Sequence, residues 1–143
     1  MGSTIPAESD EVVDLLHAVN RRIRRASLAA LEPLGVTPAQ ARALRIIGGD
    51  DGPVRMSDLA ARLRVVPRSA TTVVDELVER GLVERRADPD DRRVVAVALA
   101  GEGERLLGQL DRGRRAAAAA VTDLLDARDL ARLAELLRVL DQG

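Results

Sequence analysis

The sequence contains no Cys, no Lys, no Phe, Tyr or Trp, and a single His, His17. Without cysteine there is no disulfide framework, no thiolate metal site and no thiol redox switch. One His and no Lys leave no His cluster for a metal, no Schiff-base amine and no phosphate-loop lysine. Without aromatic rings there is no stacking platform for single-stranded nucleic acid and no cage for a quaternary amine. The longest apolar run, Val94 to Ala100, is seven residues, against about 20 for a membrane span. No charged-then-apolar export signal opens the chain, so a cytoplasmic protein without a membrane partner is expected. Neither a cofactor nor a metal nor an enzyme is expected from this inventory.

What is present is a folded, aliphatic, arginine-rich chain. Its 143 residues fit one domain, or two small lobes sharing a core. All 22 basic residues are Arg, set against 23 acids for a net charge of −1, and 46% of the chain is hydrophobic. That balance describes a globular protein and not a disordered tail.

Residues 1–9 are small and polar and read as a loose N-terminal tail. From Asp10, Val12, Leu16, Val19, Ile23, Ala26 and Ala30 fall on one stripe of a helix that Pro33 and Gly35 end. Thr37-Pro38-Ala39-Gln40 has the form of a capping box opening a second helix, with Ala41, Leu44 and Ile47 inward and Gly48-Gly49 at its end. Asp50 to Pro53 is loop by composition. A third helix is expected with Ser57 as its cap and Leu59, Ala60 and Leu63 as its apolar side. After Arg64-Val65-Val66, Pro67 opens a fourth helix, which Gly81 closes with Leu82 placed for a C-cap contact. Two short helices so joined fit a helix-turn-helix. The period then changes to two: 82–86 and 93–99 read as strands around a turn at 87–91, with Val95, Val97 and Leu99 on one face. A hairpin in that place is a wing. Residues 101–142 return to helix in two parts joined near Asp126, the last carrying Leu130, Leu133, Leu137 and Leu140.

The expected fold is therefore mainly α with a small two-stranded antiparallel wing. A winged helix-turn-helix lobe over 38–100 is joined to a helical lobe formed by 10–37 and 101–143. Homodimerisation is the economical way to bury the leftover apolar surface of that second lobe.

The fourth helix sorts its charge along its length. Residues 59–74 contain Arg62, Arg64 and Arg68 and no acid, whereas Asp75, Glu76 and Glu79 crowd the other end. A recognition helix enters the major groove by its N-terminal residues, so this is the required polarity. Arg68 can donate two hydrogen bonds to guanine, and Ser69, Thr71 and Thr72 suit phosphates or base edges. The helix alone is equally consistent with a solvated charged face; the hairpin decides between them. Arg85, Arg86, Arg92 and Arg93 gather on it, and an arginine on a narrow hairpin can enter a minor groove. Asp91 or Asp88, paired with Arg93, would brace the tip and leave Arg92 to project. The segment 54–100 is nearly neutral, with nine Arg against eight acids. Binding must then rest on local sorting and two copies of the site, not on a broad basic surface.

Leu59-Ala60-Ala61-Arg62-Leu63 and Ser69-Ala70-Thr71-Thr72-Val73-Val74-Asp75-Glu76-Leu77 resemble the helix-turn-helix of MarR-family transcriptional regulators. Gly81-Leu82-Val83-Glu84-Arg85, Asp88-Pro89-Asp90-Asp91-Arg92-Arg93 and Val97-Ala98-Leu99 resemble that family's wing, and Leu34 to Gln40 its entry to the second helix. The similarity covers about Asp10 to Gln142, and the wing is its most specific part. One departure is Ala100, where many members have a Thr that caps the next helix.

The resemblance implies a homodimer, joined through the first and last two helices, on a pseudo-palindromic double-stranded DNA operator, usually as a repressor. It implies that Pro67, Arg68, Ser69 and Thr72 meet the major groove and Arg92 or Arg93 the minor. Two-fold-related recognition helices would lie one DNA turn apart, ~34–36 Å. The family often releases DNA on binding a small molecule, and the absence of Cys excludes its cysteine-oxidation sensors. A small acidic effector could be held by Arg21, Arg24 or Arg45, with His17 tuning the pocket or reporting pH. The alternative from another class is a winged-helix protein-interaction module without DNA binding, which the near-neutral charge favours and the Arg-tipped wing opposes. A hydrolase using Asp88 and Asp91 is disfavoured, because nothing on an exposed turn raises a carboxyl pKa or excludes water.

Overall fold

The computed structural model describes residues 5–143. The chain is helical from Ile5, so residues 5–9 of the expected tail belong to the first helix, while residues 1–4 lie outside the described residues. Pro6 falls in the first turn, where its missing N–H is not needed. The order is α1 (Ile5–Leu31), a 3-10 turn (Glu32–Leu34), α2 (Pro38–Gly49), β1 (Val54–Arg55), α3 (Met56–Leu63), α4 (Pro67–Glu79), β2 (Val83–Ala87), β3 (Val95–Leu99), α5 (Gly101–Thr122) and α6 (Ala127–Asp141). The chain forms two compact units: a central one over Leu28–Gly113, and a terminal one made of the chain up to Ser27 with Arg114–Gly143.

In the central unit the start of α2 is set locally. Thr37 accepts the Gln40 N–H at 3.1 Å, and Gln40 Oε1 accepts the Thr37 N–H at 3.1 Å, so two donors at the helix start are satisfied reciprocally. The far end of α4 is equally well defined. Gly81 turns left-handed at φ 71, its N–H donates to the Val78 carbonyl at 2.9 Å, and the Leu82 N–H donates to the Leu77 carbonyl at 2.9 Å. Leu82 then buries against the core, which is the hydrophobic contact such a cap requires.

The wing has three strands, not two. β1 lies on the outer side of β3 in the order β1-β3-β2, all antiparallel, with Val54 opposite Val97 and Arg55 opposite Ala96. β2 pairs with β3 from Val83 opposite Leu99 to Ala87 opposite Val95. Two residues are too few to show a period in the sequence, and β1 exists because β3 offers it an edge. It also leads straight into α3, which begins at Met56 with Arg55 at the N-cap position and no side-chain cap, so Ser57 lies inside the helix. Val97 is fully buried and Leu99 half-buried, but Val95 is exposed, because it lies beyond the two residues that β1 covers.

Leu44, Leu59, Val74, Leu77, Val97 and Leu110 are the largest fully buried side chains of this core, each worth roughly 1.5–3 kcal/mol of burial. Leu31 and Val36 join it from before α2, and Leu106 and Leu110 from α5. The first turn of α5 is packed tightly. Ala100 N–H donates to the Leu82 carbonyl at 3.0 Å, and buried Gly103 faces the same carbonyl so closely that a Cβ would fall on its oxygen.

The terminal unit is built differently. Asp126 caps α6 by accepting the Asp129 N–H at 2.8 Å, yet α6 contains no buried residue. Leu130, Leu133, Leu137 and Leu140, together with Val12, Leu16, Val19 and Ile23 of α1, all stay well exposed. Leu16, Leu137 and Leu140 line a shallow groove with Ala134, Arg138 and Asp141.

Candidate nucleic-acid interface

The N-terminal end of α4 is open to solvent. Every residue from Arg64 to Ser69 is exposed, while Ala70, Val74 and Leu77 anchor the helix to the core from its inner side. The first turn contains no acid. Pro67 holds the first helical position, and Thr71 and Thr72 donate their hydroxyls to the carbonyls of Pro67 and Arg68 at 3.0 and 3.1 Å. Those hydroxyls keep their acceptor capacity outward. The Arg68 side chain makes no hydrogen bond or ion pair among the described residues, so its guanidinium is available to a ligand.

Two of the three acids at the other end of α4 are occupied, and Glu79 is exposed without a partner among the described residues. Asp75 is paired with Arg85 of β2, and Glu76 accepts from Gln40 Nε2 at 2.7 Å. Arg80, just past the helix, donates to the carbonyls of Gly35 and Leu34 at 2.8 and 3.2 Å. The helix that presents Arg68 is thus fixed to the α1–α2 turn at its C-terminal end.

At the wing tip, Asp91 is the residue that braces Arg93. It accepts the Arg93 backbone N–H at 3.1 Å and the guanidinium at 3.2 and 3.3 Å. Asp88 pairs instead with Arg55 of β1 at 2.8 Å and also accepts the N–H groups of Asp90 and Asp91 at 3.1 and 3.0 Å. Asp88 is 5% exposed, so its charge is balanced inside the base of the turn. The Arg55 guanidinium, with those two N–H groups, holds the Asp88 carboxyl below its ordinary value, against the opposing cost of desolvation. Asp88 in turn raises Arg55. The Arg93 guanidinium and N–H lower Asp91 likewise. Arg92 and Arg93 occupy the turn rather than the strand, closed by Val94 N–H to the Asp91 carbonyl at 2.9 Å. Both are exposed, and Arg92 has no partner among the described residues.

Of the nine arginines in 54–100, six are tied off: Arg55, Arg62, Arg85, Arg86 and Arg93 to carboxylates, and Arg80 to carbonyls. Arg64, Arg68 and Arg92 have no partner among the described residues. The near-neutral segment therefore leaves free guanidiniums at one end of α4 and at the wing tip, the latter on the same turn as the exposed Asp90. The sequence-level site omitted Arg64 and Arg55. Arg64 lay in the acid-free stretch, but its left-handed backbone, φ 57, left no signal; Arg55 acts through Asp88, 33 residues away.

The expected effector residues fall in both units. His17, Arg21 and Arg24 are exposed on α1 in the terminal unit. Arg45 is half-buried on α2 in the central unit, and its Nε is buried without a hydrogen-bond partner. Among the described residues no group of three or more His, Asp or Glu could hold a metal, and no helix is long and apolar enough to cross a membrane.

The MarR family profile matches residues 34–94. The HTH-type transcriptional repressor MdtR of Bacillus subtilis is 30% identical over 128 residues, covering 90% of this chain and 82% of MdtR. The chain belongs to the MarR family. Wild-type MarR of Escherichia coli, solved in its apo form, superposes on this MarR-family chain with a TM-score of 0.74 at 30% identity, over 89% of this chain and 94% of that one. CouR of Rhodococcus jostii RHA1, solved bound to p-coumaroyl-CoA, does so with a TM-score of 0.71 at 29% identity, over 92% of each chain. The winged helix-turn-helix of this MarR-family chain is thus the fold its sequence led one to expect, with one strand more.

Proposed function

We propose that the protein is a homodimeric repressor that binds a pseudo-palindromic double-stranded DNA operator. α4 enters the major groove by its N-terminal turn, where Pro67, Arg68, Ser69, Thr71 and Thr72 meet bases and phosphates. The wing lies over the minor groove, with Arg92 projecting into it and Arg93 beside it. The carrying observation is the sorting of charge: Asp75, Glu76, Asp88 and Asp91 are bound internally, while the side chains of Arg68 and Arg92 make no bond at the two points that would meet DNA. The exposed leucines of α6 and the apolar residues of α1 support dimerisation through the terminal unit. Two copies of a small site then supply the affinity that a segment with nine Arg and eight acids does not supply once.

Release by a small acidic effector fits the same reading. Arg45 of the central unit offers a buried, unsatisfied Nε, His17, Arg21 and Arg24 of the terminal unit are separate, exposed candidates, and CouR, similar in fold, was solved with p-coumaroyl-CoA bound.

The test is fluorescence anisotropy of the protein against labelled DNA from its own promoter and against scrambled DNA, at several salt concentrations. Binding that prefers one sequence, weakens with salt and disappears in Arg68→Ala/Arg92→Ala is expected. A folded dimer that binds no duplex would point instead to a protein-interaction module.

A further inference from the structure

Arg64 ends α3 in the left-handed region, φ 57 and ψ 45, and no other non-glycine among the described residues has positive φ. The fold needs that backbone: the Arg64 N–H donates to the Ala61 carbonyl at 3.1 Å, and the Val65 N–H to the Ala60 carbonyl at 3.1 Å, which together close the helix. The fold does not need the side chain. It is exposed and makes no hydrogen bond or ion pair among the described residues. Glycine suits this conformation better than any residue with a Cβ, so arginine here is unfavourable to the turn and contributes nothing to packing in return.

Its surroundings point to an anion. Arg64 stands three residues before Pro67, the first residue of α4, in a stretch without acids. Arg42 of α2 donates to the Leu63 carbonyl at 3.3 Å, which brings a second guanidinium to the same corner. Of the acids associated with α3, Asp58 lies in its first turn and Asp50 is neutralised by Arg62.

We propose that Arg64 contacts a DNA backbone phosphate beside the α3–α4 turn and so positions the N-terminal end of α4 in the groove. The inference rests on the DNA-binding reading above. A residue outside the helix, on the turn that flanks it, is placed for the phosphate chain rather than for base edges. With Arg68 and Arg92 it makes three guanidiniums without a bond per copy. As the phosphate contact among them, Arg64 contributes about −2 to a dimer's salt slope, log K against log salt.

The test compares Arg64→Gly and Arg64→Lys with the wild type, using a fluorescein-labelled duplex that the full-length protein selects from random-sequence DNA, and a scrambled duplex. Arg64→Gly is expected to keep or raise Tm while weakening binding to both duplexes by about an order of magnitude and flattening the salt slope by about 2 for a dimer. Arg64→Lys should keep most of the slope, because it keeps the charge. Unchanged affinity and slope in Arg64→Gly would overturn the proposal while leaving the DNA-binding reading intact. Loss of discrimination at one base pair with an unchanged slope would overturn it in favour of base contact. A wild-type protein that selects and binds no duplex would remove the DNA-binding reading itself, and the role of Arg64 with it.

Discussion

Gly103→Ala is expected to destabilise the protein although it places a better helix former in a helix. The substitution gains up to about 1 kcal/mol of helix propensity, less this close to the N-terminus. Against that, the new methyl would fall on the Leu82 carbonyl oxygen. This is main chain and already accepts the Ala100 N–H, so no rotamer change can move it aside. Relief requires shifting either the first turn of α5 or the peptide that leads into β2, and overpacking of that kind costs about 1–3 kcal/mol. The net expectation is a loss of about 1–2 kcal/mol, or a fall in Tm of roughly 3–8 °C for a chain of this size. Gly108→Ala, in the same helix, is the control. Its Cβ would meet only the end of the Arg112 side chain at 3.6 Å, so it should hold or raise Tm. The chain has no Trp or Tyr, so far-UV circular dichroism during thermal and urea unfolding, at one fixed protein concentration, is the assay. Equal Tm values for Gly103→Ala and Gly108→Ala would refute the close packing of α5 on the Leu82 carbonyl.

Arg68→Ala should cost about 1–3 kcal/mol of operator affinity and relax discrimination at one base pair per half-site, read by binding to single-substitution duplexes; a uniform loss would make Arg68 a phosphate contact. Val66, 64% exposed at the N-cap position of α4 without a cap bond, is a site where stability and binding should oppose. Val66→Asp should add about 0.5–2 kcal/mol by capping the helix and weaken DNA binding by placing a carboxylate at its DNA-facing end, as thermal melts and anisotropy would record. The Asp88 carboxyl lies below its ordinary value of 3.8 in the folded protein, so at falling pH the unfolded chain takes up its proton first. The stability advantage of wild type over Asp88→Asn should be full above that value and shrink as pH falls below it; a difference in Tm that stays constant from neutral pH to pH about 3 would contradict the Arg55–Asp88 pairing.

Features that depend on a few consecutive residues were legible in the sequence. Thr37 and Gln40 announce a capping box, and Gly81-Leu82 announces a helix end, because each closure is made by residues within six positions of one another. The sorting of Arg and acid along α4 was equally plain. Features made by distant residues were not. β1 owes its existence to Val97 and Ala96, and Asp88 takes its partner from β1 rather than from its own turn, so the hairpin alone could not choose between Asp88 and Asp91. Arg64 was hidden for another reason: a left-handed helix end is normally read from Gly or Asn, and this one carries neither. The start of α1 shows the limit of composition, since small polar residues before Asp10 read as tail while Pro6 fits a first turn as well.

The bonds from Gln40 to Glu76 and from Arg80 to the Leu34 and Gly35 carbonyls make a single hinge plate of two chain segments more than 30 residues apart in sequence. Gln40 serves it twice, closing the start of α2 with one side of its amide and holding α4 with the other. The turn between α1 and α2 therefore cannot tilt alone. Either it carries the far end of α4 with it, or it gives up both Arg80 hydrogen bonds to its carbonyls.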